Sequence, residues 1–306
     1  MGIKEGKSEY KKGLFGAISC SVIWGVLPVY WQSLRPIDSW VIIIYRVFLV
    51  CVMSLLFARR SYSWKRIFSP LKDRRTRVVY FLAGVVITIN WSTFIWAVNA
   101  DHVIQCCIGY YIEPLMVCIF GMIFFKEKLT KYKTTALLLA CVSVIVILVH
   151  FKSLPTIALM LAVTFSVYSA IKKKVEQPPL ISLVYETIFL APAALGIIIW
   201  MEVTGRGALG VGQPYQYALL LLCGLLTVIP LGLFALAAQR VSMFMLGLSE
   251  YISPTISLFV GVYILGETMD GVQLIAFAII WVGLVFFSYG EYRESKKTGA
   301  RVTAES

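Results

Sequence analysis

Histidine is nearly absent from this 306-residue chain, and charge of either sign is scarce: two His, and Asp, Glu, Lys and Arg together at 14%. His102 and His150 stand too far apart to read as a metal motif. The seven cysteines include no C-x-x-C spacing and all fall in apolar stretches, so they read as small buried hydrophobes. No G-x-S-x-G, phosphate-binding glycine loop or H-E-x-x-H occurs. The nucleotide machinery of an ATP-driven pump is therefore excluded, and no metal, cofactor or catalytic residue is expected. Polar segments long enough to fold as a soluble domain are also missing.

Apolar residues make up 59% of the chain, and the mean hydropathy is +0.82. About 20 apolar residues cross a hydrocarbon core, and ten stretches qualify. They are Gly13–Gln32, Ser39–Ala58, Val78–Val98, Val103–Phe125, Thr134–Phe151, Leu154–Ile171, Leu180–Trp200, Tyr217–Ala238, Val241–Leu265 and Val272–Tyr289. The first follows Lys4, Lys7, Lys11 and Lys12 but is too long for a signal-peptide core and lacks a good cleavage site, so it reads as a retained helix. Basic residues gather before the first span, at Arg59–Arg77, Lys126–Lys133, Lys172–Lys174 and Arg240, and in the C-terminal tail. The intervening loops hold only Arg35, Lys152 and Arg206. The formal charge of +12 is thus a topology signal, not a nucleic-acid footprint, and it places both termini in the cytoplasm.

The segment YYIEPLMVCIFGMIFFKEKL from Tyr110 returns as EYISPTISLFVGVYILGETM from Glu250. Tyr111, Ile112, Pro114, Gly121 and Glu127 align with Tyr251, Ile252, Pro254, Gly261 and Glu267. The same register pairs Tyr45 with Tyr185, Gly84 with Gly224, and Phe94 with Phe234. Five spans per half is an odd number, so the second half must enter the membrane inverted. The expected fold is all-α: ten transmembrane helices as an inverted 5+5 repeat. The halves are residues 13–151 and 152–290, and cytoplasmic tails occupy 1–12 and 291–306. Two half-cores around a central site are the signature of a transporter.

Four ionisable residues lie deep in the spans: Arg46, Glu113, Glu186 and Glu250. Such groups cost about 2.5–3.5 kcal/mol at mid-helix and so face partners or water-filled cavities. Arg46 and Glu186 occupy equivalent repeat positions and are expected to approach each other if their helices flank one cavity. The functional reading is a midplane site; the alternative is an Arg–Glu pair that only fixes packing. Burial disfavours an ionised carboxylate, which makes Glu113, Glu186 and Glu250 the proton-coupling candidates.

Trp24, Tyr30, Asn90, Trp91, Phe94, Trp96, Tyr110, Tyr111, Tyr168 and Tyr251 fall largely inside spans, where they would line a cavity for an organic solute or simply pack. Trp31, Trp40 and Trp200, near span ends, read as interface anchors. Pro28, Pro114, Pro192, Pro230 and Pro254 interrupt helices. Pro28, Pro114, Pro230 and Pro254 are the hinge candidates, with Pro114 and Pro254 as symmetric kinks.

The run INWSTFIWAVNADHVIQCCIGYYIEPLMVCIFGMIFFKEKL, from Ile89 to Leu129, resembles the RarD proteins of the EamA group, in the drug/metabolite transporter superfamily. So do IWGVLPVYW, YRVF, YETIFLAPAAL and VIPLGLFALAAQRVSMFMLGLSEYISPTI. The resemblance implies ten helices, a central cavity lined from both halves, and export or exchange of small organic solutes. It carries over Trp24, Gly25, Pro28, Arg46, Asn90, Trp91, Phe94, Trp96, Asn99, Tyr111, Pro114, Glu186, Tyr251 and Pro254. Three residues depart from the pattern: Glu113 in place of asparagine, Tyr45 of histidine and Glu250 of glutamine. These changes favour cationic or zwitterionic cargo.

The expectation is a secondary transporter of the cytoplasmic membrane, working by alternating access and exporting a drug, amino acid or related metabolite. Its substrate site would comprise Trp24, Tyr45, Arg46, Asn90, Trp91, Phe94, Tyr111, Glu113, Glu186, Glu250 and Tyr251. Its partners would be the solute, protons and membrane lipids, with no nucleic acid and no ATP, in a monomer or weak homodimer. The alternatives are a uniporter or importer of an amino acid or vitamin-like metabolite and, more remotely, an intramembrane enzyme acting on a lipid-linked substrate.

Overall fold

The computed structural model describes residues 3–99, 103–152, 156–264 and 270–304. Among these there is no strand. In chain order the helices are α1 (Ile3–Ser33), α2 (Ser39–Ser61), α3 (Trp64–Phe68), α4 (Arg74–Asn99), α5 (Val103–Phe125), α6 (Lys131–Phe151) and α7 (Thr156–Lys174). Then come α8 (Pro179–Thr187), α9 (Ala191–Val203), α10 (Pro214–Arg240), α11 (Met243–Glu250), α12 (Ile252–Tyr263) and α13 (Gly271–Ala304). Among the described residues nine spans are long and apolar enough to cross a membrane, α11 and α12 together making one; α8 and α9, bent by 57°, make a tenth if they count as one. Side chains turned outward from these spans are apolar, among them Phe15, Leu138, Ile145 and Val285. The chain is a multi-pass membrane protein. His102, Glu267 and the side chain of Asn99 lie outside the described residues, as do the expected start Leu154 of the sixth span and end Leu265 of the ninth.

Helix packing follows the repeat. α1 packs on α10 and α12, while its equivalent α7 packs on α4 and α5. α2 packs on α10, while α8 packs on α4; α6 pairs with α13. Each pairing maps onto another under the 140-residue shift, which is what a twofold relation between the halves requires. Repeat mates even touch: the Tyr251 hydroxyl donates to the Tyr111 carbonyl at 3.0 Å, across 140 residues. Gly84 and Gly224 do equivalent work. A Cβ on Gly84 would collide with the Glu186 backbone, and one on Gly224 would sit 2.7 Å from the Leu49 carbonyl oxygen. Close approach of helices without a hydrophobic force to drive it needs such small residues.

Local chemistry sets the helix ends. The Asp38 side chain accepts from the Trp40 N–H at 2.7 Å to start α2. Glu127, from the first half, accepts from the Met243 and Phe244 N–H groups at 2.7 and 2.9 Å. A carboxylate thus sits on the positive end of α11. The hinge candidates divide. Pro28, Pro114 and Pro230 lie inside continuous helices. Pro254 lies three residues past the break at Tyr251. The two repeat-mate prolines sit differently: α5 runs through Pro114, whereas the ninth span is interrupted before Pro254. The bend of 57° falls instead between α8 and α9, just ahead of Pro192, whose missing N–H removes the hydrogen bond that would bridge the break.

Candidate functional site

The expected single site resolves into three groups. The first surrounds Arg46, which α2 holds half-buried between the halves. Its Nε donates to Thr227 Oγ1 of α10 at 3.1 Å. Its guanidinium carbon lies 3.9 Å from the Trp91 ring centre and 5.2 Å from that of Trp31. Tyr110 interacts with the same charge and packs on Phe94, with ring centres 5.8 Å apart. Among the described residues no carboxylate lies within ion-pair distance of Arg46. A guanidinium stacked between indoles and left without a counter-ion can offer bidentate hydrogen bonds to a carboxylate or phosphate.

The second group lies at the twofold axis. Cys118 meets the Phe244 carbonyl at 3.5 Å, and a Cβ on Gly247 would sit 2.6 Å from the Pro114 carbonyl oxygen. With the Tyr251–Tyr111 bond, these contacts run antiparallel along α5 and α11 and bring Glu113 and Glu250 into one layer. The two carboxyl groups interact electrostatically. Glu250 is 4% exposed, and among the described residues neither of its carboxyl oxygens has a hydrogen-bond partner.

The third group is sealed. Glu186 is 2% exposed and pairs with Lys172, itself fully buried, at 2.5 Å. Ser182 and Tyr168 donate to the same carboxylate at 2.8 and 3.0 Å. The expected approach of Arg46 to Glu186 is thus corrected. α2 and α8 do pack together, but each side chain turns to a different neighbour, and Lys172 already neutralises Glu186. Lys172 is likewise corrected from a loop charge to a core residue.

The remaining candidates are mostly ties between helices. Asn90 donates to the Leu161 carbonyl and to Thr164 Oγ1, both at 2.9 Å, and joins α4 to α7. The Tyr45 hydroxyl donates to Glu202 at 2.7 Å and joins α2 to α9. Trp24 packs on Phe165 and Phe234, with ring centres 5.9 and 5.6 Å away. Sequence reasoning missed Thr227, Lys172 and Ser182, and it read Trp31 as an interface anchor. Lys172 is concealed by Lys173 and Lys174; a serine or threonine carries no signature of its own. A groove of about 430 Å³ between Trp40, Trp96 and Met160 does not include Arg46 in its walls. Among the described residues no three metal-ligating side chains gather.

Residues 11–149 and again 154–289 match the EamA-like transporter family. Protein RarD of Streptomyces exfoliatus is 34% identical over 300 residues, covering 97% of this chain and 95% of that protein. Protein RarD of Escherichia coli (strain K12) is 33% identical over 297 residues, covering 94% and 99%. A protein of Bacillus subtilis (strain 168), named as the uncharacterized transporter YojE, is 32% identical over 291 residues, covering 94% and 96%. A solved crystal structure superposes with a TM-score of 0.69 at 16% identity, over 90% of this chain and 96% of its own. That likeness bears on the fold alone.

Proposed function

The chain belongs to the EamA-like transporter family, and on that premise we propose that it carries a small organic solute across the cytoplasmic membrane by alternating access. The solute bears a carboxylate or similar anion beside a planar or apolar body, as amino acids and many drugs do. One observation supports this choice: Arg46 stands half-buried between the halves, flanked by Trp31 and Trp91, with no carboxylate of the described protein to neutralise it. Among the described residues its side chain hydrogen-bonds to Thr227, on the opposite half. Movement of α2 against α10 therefore changes what surrounds the guanidinium. A ligand that binds the two arrangements unequally shifts their populations.

Net movement is outward, and both termini are cytoplasmic; the alternation of basic loops supports that orientation. The solute carries its own charge, and the chain works as a monomer or weak homodimer, because both halves of the site lie in one polypeptide. Counterflow of amino acids and carboxylate-bearing drugs into sealed proteoliposomes tests the proposal. Arg46→Ala should weaken saturable uptake about 10- to 100-fold in affinity while leaving the thermal unfolding of the purified protein near that of the parent. Unchanged KM and kcat in this variant would remove Arg46 from the solute site.

A further inference from the structure

We propose that Glu113 and Glu250 form a two-carboxyl site that binds a single proton between the halves. Its coupling role rests on the transport reading above; its existence does not.

The argument starts from position. Glu113 is contributed by α5 of the first half and Glu250 by α11 of the second, and the contacts Gly247–Pro114 and Tyr251–Tyr111 bracket their layer on either side. Glu250 is more than nine-tenths buried, and no described group donates to either carboxyl oxygen. An ionised carboxylate left without donors in such a place is strongly disfavoured. A second carboxyl in the same layer adds like-charge repulsion when both are ionised.

The described surroundings offer no relief by a fixed charge. The ionisable groups facing Glu250 are Cys20 on α1, Cys118 and Glu113 on α5, and its neighbour Tyr251. Both thiols point to carbonyls: Cys20 to that of Ala17 and Cys118 to that of Phe244. From α7, α10 and α12 no described cation acts on Glu250. Glu250 is also the last residue of α11, whose terminal carbonyls give that end a partial negative charge. Pro254 has no N–H to offer the Glu250 carbonyl. Every feature of the site favours a positive guest.

Two carboxyl groups beside the Cys20 and Cys118 thiols are enough to hold a proton, which needs a single oxygen. The step is a simple transfer. An O–H bond forms between a proton from water on one face of the membrane and a carboxylate oxygen of the pair. The bond breaks when the proton leaves to water on the other face. The site does not follow the repeat: the mates of Glu113 and Glu250 are Ser253 and Tyr110. Tyr110 is also one of the residues around Arg46, and it precedes Glu113 by one helical turn. Proton and solute would thus occupy different sites that share α5.

Infrared titration of the purified full-length protein in detergent tests the site without any transport. A protonated carboxyl band should persist at neutral pH and shift in D2O. Glu113→Gln and Glu250→Gln should each move it, and the double variant should lose it. These neutral, near-isosteric changes should preserve the fold, which thermal unfolding checks. A band that survives the double variant, or no band in the parent, overturns the proposal. So would sodium-dependent thermal stabilisation of the parent that the double variant lacks. In proteoliposomes, the double variant should keep solute counterflow but lose its response to an imposed pH gradient. A parent showing the band and counterflow, yet indifferent to the gradient, overturns the coupling role. The band without any counterflow would sink the transport reading and leave the proton site standing.

Discussion

Arg46 and Glu186 occupy equivalent places in the two halves and have opposite surroundings. Arg46 is half-buried, and its contacts are a hydroxyl and aromatic faces. Glu186 is sealed against Lys172, Ser182 and Tyr168. The difference can be traced residue by residue. The mates of Trp31 and Trp91 are Ile171 and Leu231, which cannot hold a cation by its π face. The mates of Tyr168, Lys172 and Ser182 are Pro28, Gln32 and Ile42, which cannot bind a carboxylate in the same way. Duplication preserved the backbone plan, and each half then acquired its own polar shell. One charge has no carboxylate partner among the described residues; the other is paired and sealed.

Removing one member of the sealed pair is the harshest way to break that contrast. Lys172→Met should destabilise the protein by about 3–5 kcal/mol, because it strands a buried carboxylate. Lys172→Met with Glu186→Leu should recover most of that loss in thermal or denaturant unfolding. Equal instability of the single and double variants would mean that the pair does more than pack. Arg46→Ala should behave in the opposite manner, with stability nearly intact and solute affinity reduced about 10- to 100-fold. Charge-assisted hydrogen bonds of about 1.5–3 kcal/mol set that range. Arg46→Lys should not restore binding, since an ammonium lacks the planar face that stacks on Trp91.

The repeat-related glycines sharpen the comparison further. Gly84→Ala and Gly224→Ala should each cost about 1–3 kcal/mol by overpacking. The loss should be larger at Gly84, whose added Cβ meets the Glu186 backbone more closely than that of Gly224 meets Leu49. Unfolding midpoints of the two variants, compared with the parent, decide this.

The smallest effect belongs to Asp270, where the Val272 N–H and then His150 hold the carboxyl below its ordinary range. A depressed pKa stabilises the fold above the unfolded value and loses that contribution as pH falls through the folded one. Acidification below the usual aspartate range should therefore loosen the join of α6 to α13. Faster hydrogen exchange at the start of α13 would report it, and Asp270→Asn should remove the pH dependence.

Much of the fold could be read from residue order. Val103–Phe125 is bounded as expected, and the register that pairs Tyr111 with Tyr251 proved to be a physical contact. Helix membership was legible too: all four ionisable residues singled out lie within helices. Azimuth was not. Successive residues turn by about 100° around a helix, so a sequence that places Glu186 in a helix does not say whether it faces Arg46 or Lys172. The roles of Trp31 and Lys172 were hidden for another reason. Near the ends of spans an aromatic or basic residue normally marks the interface, and those two turn inward instead.

The Lys172–Glu186 pair also bears on how the chain is made. The two residues are only 14 apart, on helices that leave the ribosome one after the other. If α7 partitioned into lipid alone, its lysine would have to reach back to the surface; if α8 did, its carboxylate would have no counter-charge. Insertion of α7 and α8 as a single hairpin avoids both situations. The ion pair that pins the finished fold thus favours joint insertion of the sixth and seventh spans over insertion one at a time.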